Sequence, residues 1–293
     1  MFLCNFAQRT EKKSLMKNFI TRTLTGFAYV IIIIAGIFVN QYTFLALFSV
    51  VVIACMWEFY GLLNKCQQLN ISRITNCLGG VVLFASTYLY ASGKVTHAVF
   101  LPYLCYIVFM LVFELYRKKG NPIHHLSIAF LGQCYIALPL SLLNMIAFAE
   151  YQEGAIRYYP LLILSLFAFI WVNDTGAYLT GMSFGKHRLF ERISPKKSWE
   201  GFFGGLIFTV LSAFVFAHFE TNIPYYHWIG LAIAVVVFGT WGDLIESLIK
   251  RTLGVKDSGR SLPGHGGFLD RFDSLLLAVY GMLFYIELFK IKC

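Results

Sequence analysis

The sequence predicts an all-α polytopic membrane protein with about nine transmembrane helices and a polar active-site cavity in its C-terminal half. The first observation is composition: 58% of the residues are hydrophobic, 13% are charged and the mean hydropathy is +0.67, values outside the range of soluble domains. The second is that apolar runs of about 20 residues, the length that spans a bilayer, recur along the chain. The third is an uneven distribution of Lys and Arg among the segments that connect these runs.

Nine apolar runs are interpreted as membrane spans. In chain order they are residues 24–40, 42–63, 76–92, 97–116, 126–148, 159–180, 200–219, 227–248 and 272–289. The first and third runs are short for a span. Because no small-residue cleavage site follows the first run, it is predicted to be a retained helix rather than a signal peptide.

Lys and Arg are concentrated on one predicted side of the membrane. Twenty of the 24 lie in five alternate segments, which are the N-terminal tail and the turns near 65–75, 117–125, 181–199 and 249–271. The remaining four are Lys94, Arg157, Lys290 and Lys292. The positive-inside rule then places the N-terminus in the cytoplasm and the C-terminus outside. We expect an integral protein of a bacterial inner (plasma) membrane, with its active site facing the cytoplasm.

The net charge of +9 is attributed to this orientation and to attraction by anionic headgroups, so membrane lipids are expected partners. Nucleic acid is not expected as a partner, because no basic soluble domain is predicted that would bind it. The seven cysteines include no C-x-x-C pair and no histidine at zinc-ligand spacing. This pattern argues against a zinc site or a disulfide framework.

Polar chemistry is predicted to lie in the second half of the chain. All five aspartates follow residue 170, and they are Asp174, Asp243, Asp257, Asp270 and Asp273. The chain is therefore divided into three regions. These are a basic cytoplasmic tail at 1–23, a transmembrane scaffold of five helices at 24–150 and a catalytic transmembrane region of four helices at 151–293.

Asp174 lies inside the sixth apolar run, between Asn173 and Thr175. A carboxylate at membrane depth should face protein or water rather than lipid. Asn and Thr also join helices through hydrogen bonds. A functional site and a polar contact between helices are therefore both open interpretations.

Two lysines precede the seventh apolar run. Lys196 and Lys197 come before Ser198, which is predicted to be the N-cap of a helix that opens with Glu200 and Gly201. The positive end of a helix favours an anion, and two lysines add to this attraction. A phosphate site and a plain positive turn both agree with the pattern.

The eighth run ends with charged residues on one helical face. Asp243, Glu246 and Lys250 stand at positions i, i+3 and i+7. Asp270 and Asp273 have the same i, i+3 spacing at the start of the ninth run. Mg²⁺ needs only one or two protein carboxylates, because phosphate oxygens and water complete its octahedron. The two groups therefore predict the two halves of a divalent-ion site.

Three glycines lie between these two groups, in the stretch Pro263-Gly264-His265-Gly266-Gly267. Glycine allows backbone amides to turn toward an anion, because it has no Cβ to interfere. Asp, Lys and Arg flank the stretch on both sides, and this combination predicts a phosphate-binding loop.

The segment from Ser247 to Asp273 resembles the signature of phosphatidate cytidylyltransferases (CDP-diacylglycerol synthases). The signature consists of S-x-x-K-R, K-D, P-G-H-G-G and D-R-x-D, and the chain matches it with no insertion. The stretches N-D-T-x-A-Y from Asn173 and S-P-K-K-S-W-E-G from Ser194 are also similar to family motifs. The resemblance covers about residues 170–275.

The resemblance implies transfer of CMP from CTP to phosphatidic acid, which forms CDP-diacylglycerol and pyrophosphate in phospholipid biosynthesis. It also implies Mg²⁺ dependence, with Asp243 and Asp270 as metal ligands; a second metal ion and a homodimer are left open. The predicted catalytic residues are Asp243, Lys250, Asp270 and Asp273. The predicted substrate-binding residues are Asp174, Lys196, Lys197, Ser247, Arg251, Lys256, Asp257, His265, Gly266, Gly267 and Arg271.

The attacking group in such a reaction would be a phosphate oxygen of phosphatidic acid. Its second pKa is roughly 6, so it is mostly ionised near neutral pH and needs no general base. This argues against His265 as an essential base. A contact with phosphate or cytidine, or a role in positioning the loop, is expected for His265 instead.

Two alternative functions are retained. A related CTP-dependent transferase could act on another lipid phosphate, because the part of the chain that would hold acyl groups carries the least information. A membrane transporter is disfavoured, because the charges gather at one face of the membrane and the two halves of the chain do not repeat.

Overall fold

The structure is a computed structural model that describes residues 23, 25–118, 120–150, 156–259, 261 and 266–291. Its helices in chain order are α1 (Thr25–Phe38), α2 (Gln41–Gln67), α3 (Arg73–Ala91), α4 (Leu101–Tyr116), α5 (Pro122–Gly132), α6 (Leu138–Ala147), α7 (Pro160–Phe184), α8 (Trp199–Phe219), α9 (Tyr225–Thr252) and α10 (Leu269–Phe289). A 3₁₀ turn (His97–Phe100) leads into α4, and a π-helical turn (Gln133–Ala137) joins α5 to α6.

Two short antiparallel hairpins interrupt the helices. β1 (Phe148–Glu150) pairs with β2 (Ile156–Tyr158), and β3 (Arg188–Phe190) pairs with β4 (Ser194–Ser198) across an irregular register. Neither hairpin was predicted from the sequence, because strands of three to five residues in polar connections give no periodic signal. The all-α membrane architecture is otherwise confirmed.

Eight helices of the described chain are long and apolar enough to cross a membrane, and they correspond to the second to ninth predicted runs. Helices α5 and α6 form a single span with the π-helical turn between them. Over its described residues α1 is apolar but rises only about 21 Å, against a hydrocarbon core of about 30 Å. Helix α9, with 28 residues, rises about 42 Å, so its charged last turns exceed the thickness of that core.

Side-chain caps fix where several helices begin. The N-cap residues are Asn40 for α2, Ser72 for α3 and Asn121 for α5. The side chain of each accepts a hydrogen bond from a backbone amide of the first turn. The Ser198 hydroxyl accepts from the Gly201 amide at 3.1 Å, which confirms it as the N-cap of α8.

The helices that bear the polar residues are fixed on one aromatic core. The rings of Phe48 in α2 and Phe167 in α7 lie 5.9 Å apart, and Phe167 lies 6.5 Å from Phe272 in α10. All three side chains are buried. Helix α7 also packs closely on α8, since a Cβ built on Gly176 would lie 3.2 Å from the Gly205 Cα.

The segments that connect the helices contact one another at the two ends of the bundle. At one end the Arg117 guanidinium donates to the Asn70 carbonyl, which joins the α4–α5 turn to the α2–α3 turn. At the other end the Tyr158 hydroxyl of β2 donates to the Ile37 carbonyl at 2.7 Å, which joins the β1–β2 hairpin to the end of α1. These contacts agree with the alternating arrangement predicted from the Lys and Arg distribution.

Glycines allow α9 to approach α10 closely. A Cβ on Gly242 would lie 2.6 Å from the Asp273 carbonyl oxygen, whereas one on Gly239 would lie 3.6 Å from that of Ser274. Small residues permit such approach between helices in membranes. The contact at Gly242 places Asp243 of α9 beside the first turns of α10.

We predict opposite effects for two alanine substitutions on this face of α9. Gly242→Ala forces the Asp273 backbone away and should destabilise the protein by about 1–3 kcal/mol. In Gly239→Ala the added Cβ would make only ordinary van der Waals contacts with α10. This substitution should be neutral, or stabilising by up to about 1 kcal/mol, because alanine has a higher helix propensity than glycine. Thermal unfolding of the purified full chain in detergent measures both, and equal melting temperatures for the two variants would contradict the close approach at Gly242.

Candidate active site

The Lys250 ammonium is shared by carboxylates from two helices. Its Nζ lies 2.7 Å from Asp270 Oδ1 in α10 and also contacts Glu246 Oε2, one turn earlier in α9. The Glu246 side chain is 1% exposed and that of Lys250 is 12% exposed. Ions held away from water need close partners, so this lysine joins α9 to α10 at the site. The pairing of Glu246 with Lys250 agrees with their predicted common face.

The Asp270 carboxylate also binds two points of the segment that connects α9 to α10. It accepts hydrogen bonds from the Ser258 amide at 3.0 Å and the Gly267 amide at 2.9 Å. Gly266 has φ +83°, and a Cβ there would lie 2.8 Å from Asp270 Oδ2. Glycine is needed at this position, both for its left-handed backbone and for the space that Asp270 occupies.

Asp243, one turn before Glu246, has a different lysine as its partner. Its Oδ2 pairs with Lys197 Nζ of β4, and its Oδ1 accepts from the Ser247 hydroxyl at 3.3 Å. The side chains of Lys197 and Asp243 are 28% and 29% exposed. This ion pair is therefore accessible from solution, unlike the pair formed by Glu246 and Lys250.

A first cavity, of about 270 Å³, lies between α7, α8 and α9. Its charged lining residues are Asp174, Lys196, Lys197 and Asp243. Asp174 thus faces a polar cavity, which favours the functional interpretation of this intramembrane carboxylate over a contact between helices.

A second cavity, of about 370 Å³, lies between α1, α7 and α10. Its charged lining residues are Asp174, Asp270, Arg271 and Asp273, and its apolar wall includes Tyr29, Phe167, Ile170 and Trp171. Asp174 therefore lies at the boundary of both cavities. Asp243 lines the first cavity and Asp270 the second.

The remaining predicted residues take varied positions. Ser247 is buried against Asp243, while the Arg251 guanidinium is exposed and donates to the Val255 carbonyl at 3.3 Å. Lys256 and Asp257 are exposed and line neither of the two cavities described above. The prediction for His265 lies outside the described residues.

The first amides of α8 are largely used by the protein itself. The Trp199 amide donates to the His187 carbonyl at 2.9 Å, and the Gly201 amide donates to Ser198. Glu200, in the same turn, accepts from both the amide and the imidazole of His187. An anion in the first cavity would therefore be held by the lysine side chains more than by the helix N-terminus.

The sequence analysis missed Glu58, which lies in α2 of the predicted scaffold. Its Oε2 accepts from the Leu269 amide at 3.0 Å and from the Ser258 hydroxyl at 3.4 Å. A glutamate in a long apolar helix is itself a signal of a functional position. Its partners, however, are about 200 residues away in the sequence, and no local pattern identifies them.

The site is rich in carboxylate oxygens, the ligands that Mg²⁺ prefers. Among the residues that the structure describes, no three His, Cys, Asp or Glu side chains form a ready-made metal cluster. Asp243 is paired with Lys197, and both oxygens of Asp270 accept hydrogen bonds. The residues fit a magnesium ion whose other ligands are phosphate and water. They do not fit an ion enclosed by the protein alone.

Comparison with protein families identifies the chain. The model of the cytidylyltransferase family matches residues 20–289. The chain belongs to this family. The match extends through the described scaffold helices and the polar cavities, so the family resemblance inferred from residues 170–275 is confirmed over a longer stretch of the chain.

Several bacterial proteins are similar to part of this chain. The phosphatidate cytidylyltransferase of Staphylococcus epidermidis is 43% identical over 151 residues, which cover 50% of this chain and 55% of that protein. Those of Haemophilus influenzae (48% over 123 residues, 40% and 43% covered) and Staphylococcus aureus (41% over 147 residues, 50% and 55% covered) are also similar. The chain thus spans about half the length of the relatives it matches.

We predict that Lys250→Met strongly destabilises the protein. The substitution leaves the buried Glu246 carboxylate without its cation, which costs about 3–5 kcal/mol. The double variant Lys250→Met/Glu246→Gln should recover part of the loss, because the uncompensated charge is gone. Melting temperatures in detergent check both expectations.

Lys256→Met is the matched control for Lys250→Met, because Lys256 is exposed in the segment that follows α9. Its melting temperature should stay close to the wild-type value. An equal decrease for the two lysine variants would show that Lys250 has no special role in joining α9 to α10.

Proposed function

We propose that this protein transfers CMP from CTP to phosphatidic acid, forming CDP-diacylglycerol and pyrophosphate. The observation that carries the proposal is the pair of cavities that meet at Asp174, in a chain that belongs to the cytidylyltransferase family. One cavity offers lysines, and the other combines an arginine with an apolar wall. The similar bacterial proteins named phosphatidate cytidylyltransferase support this choice of substrates.

The first cavity suits the triphosphate of CTP. Lys196 and Lys197 line it from β4, and their ammonium groups can bind phosphate oxygens. A triphosphate that enters would compete with Asp243 for Lys197. The exposure of this ion pair makes such an exchange of partners accessible to a nucleotide in solution.

The second cavity suits a phospholipid head. Arg271 can hold a phosphate, and the aromatic wall formed by Tyr29, Phe167 and Trp171 can contact the first carbons of the acyl chains. Because Asp174 borders both cavities, the two bound phosphates would meet beside it. Membrane lipids are thus both the surroundings of the protein and the source of one substrate.

The reaction requires that one phosphate attack another. An oxygen of the phosphatidate phosphate forms a bond to the α-phosphorus of CTP, and the bond from that phosphorus to the bridging oxygen of pyrophosphate breaks. The attacking oxygen is ionised near neutral pH, so no side chain has to remove a proton. The lysines would bind the two anions, reduce their repulsion and hold them in line.

Asp243 and Asp270 are the residues that would hold Mg²⁺, with Asp174 or Asp273 as further oxygen donors. Bound with the nucleotide, the ion would supply positive charge against the α-phosphate and the departing pyrophosphate. Because Asp243 pairs with Lys197, ion binding would free this lysine for phosphate, while Lys250 would stay paired with the buried Glu246. A second metal ion and a homodimer stay predictions from the sequence.

We further propose that the protein lies in a bacterial inner membrane with both cavities open to the cytoplasm. The Lys and Arg distribution supports this orientation. It would also give CTP, a cytoplasmic solute, direct access to Lys196 and Lys197.

The decisive test is release of pyrophosphate by the purified full chain in lipid vesicles. We expect release only when CTP, Mg²⁺ and phosphatidic acid are present together. Asp243→Asn and Asp270→Asn should abolish it while the protein stays folded, and Glu191→Gln, in the exposed β3–β4 turn, should retain it. Wild-type turnover in either Asn variant would refute its assignment. Preference for a polyprenyl phosphate would favour the alternative lipid acceptor.

Lys197 and Lys186 form a matched pair for the nucleotide site, since both belong to the connection between α7 and α8. We expect Lys197→Met to increase the KM for CTP at least about tenfold, because a phosphate contact is lost. Lys186→Met should leave the KM unchanged, because Lys186 is exposed and is absent from the lining of the first cavity. Steady-state kinetics with varied CTP measures both, and equal KM values would place the triphosphate elsewhere.

A further inference from the structure

Helix α10 begins without a capping side chain of its own. The residue that precedes it, Phe268, offers no side-chain acceptor to the first turn. The first amides of a helix need acceptors from outside the helix, especially where little water is available. The Leu269 amide finds one in Glu58 Oε2, at 3.0 Å, although Glu58 lies 211 residues earlier in the chain.

The Glu58 carboxylate lies against two glycines of the α9–α10 connection. A Cβ on Gly259 would lie 2.7 Å from Glu58 Oε1, and one on Gly267 would lie 2.4 Å from Oε2. The Ser258 hydroxyl donates to the same Oε2 at 3.4 Å. The carboxylate therefore occupies the space that side chains at residues 259 and 267 would otherwise fill.

Glu58 and Asp270 both bind Ser258 of this connection and the backbone around the start of α10. Ser258 donates its amide to Asp270 and its hydroxyl to Glu58. Around the start of α10, the Gly267 amide donates to Asp270 and the Leu269 amide donates to Glu58. Asp270 in turn holds Lys250. Any displacement of the start of α10 would therefore move the Asp270–Lys250 pair.

We propose that Glu58 is a positioning residue of the active site: by fixing the start of α10 from the opposite half of the chain, it places Asp270 and Lys250 for the transfer. The proposal rests on the proposed function, because it assigns Glu58 to the geometry of that reaction. Glu58 acts through the Leu269 amide and lines neither of the two cavities. Its negative charge also suits the positive end of α10.

Two substitutions separate the hydrogen bond of Glu58 from its charge. Glu58→Gln keeps the length of the side chain and an oxygen acceptor for the Leu269 amide, but removes the charge. Glu58→Asp keeps the charge but shortens the side chain by one methylene group, which withdraws the acceptor. If positioning depends on the contact with Leu269, Glu58→Gln should behave like the wild type and Glu58→Asp should not.

The experiment uses the full chain in lipid vesicles and has two readouts. The first is hydrogen–deuterium exchange of residues 266–270, which needs no substrate; we expect exchange about tenfold faster in Glu58→Asp than in the wild type. The second is steady-state CMP transfer; we expect kcat about 10- to 100-fold lower in Glu58→Asp, with a smaller change in the KM for CTP, because small misplacements of reacting groups have effects of this size.

Glu114→Gln is the matched control. Glu114 is a buried carboxylate of the same half, and it pairs with His125 at 2.8 Å and with Arg117, away from α10. Its substitution should lower the melting temperature but leave both kcat and the exchange of residues 266–270 unchanged. This control distinguishes a general loss of stability, which lowers only the melting temperature, from a loss of positioning, which also changes kcat and the exchange of residues 266–270.

The outcomes distinguish this proposal from the proposed function. Absence of CMP transfer in the wild type would refute the function, whereas the exchange measurement would still show whether Glu58 fixes α10. Wild-type exchange and kcat in Glu58→Asp would overturn the positioning role. An inactive Glu58→Gln beside an active Glu58→Asp would also overturn it, because the charge rather than the hydrogen bond would then matter.

Discussion

The site depends on one lysine held between two carboxylates where little water reaches. Lys250 joins Glu246 of α9 to Asp270 of α10, and Glu246 is almost fully buried. Burying any one of these charges alone would cost desolvation free energy, and the attraction between the lysine and the two carboxylates offsets this cost. Helix α10 can therefore start beside the end of α9 only in the arrangement that keeps the three groups in contact. The glycine contact at Gly242 fits the same arrangement.

A second lysine–carboxylate pair, Lys197 with Asp243, differs from the first in exposure. The buried pair links helices, while the exposed pair borders a cavity and can exchange partners. A site for polyanions benefits from this combination, because lysines that neutralise carboxylates in the free protein are already placed for phosphates. The buried pair fixes the two helices, and the exposed pair is the one whose partners the proposed substrate would change.

Much of this arrangement follows from local sequence signals. The length of the apolar runs predicted the eight membrane spans. The sequence also identified Ser198 as the N-cap of α8. The i, i+3, i+7 spacing placed Asp243, Glu246 and Lys250 on one face of α9, where Glu246 and Lys250 form an ion pair. Three features could not be predicted. The short hairpins have no periodic pattern in the sequence. The placement of Asp243 and Asp270 in two different cavities depends on how the helices pack. The contact of Glu58 with Leu269 joins residues that are far apart in the sequence, so no local pattern indicates it. The division of the chain at residue 150 stays a prediction.

The distance in sequence between Glu58 and Leu269 has a consequence for biosynthesis. At about 5–20 residues per second, ribosomes need roughly 10–40 s to make the chain between them. During that interval the carboxylate of α2 has no helix start to bind, and burial in lipid would be costly. We expect the nascent protein to keep this end of α2 hydrated at the membrane surface until the start of α10 has been made. The geometry that Glu58 gives to the start of α10 would then arise only after insertion of α10.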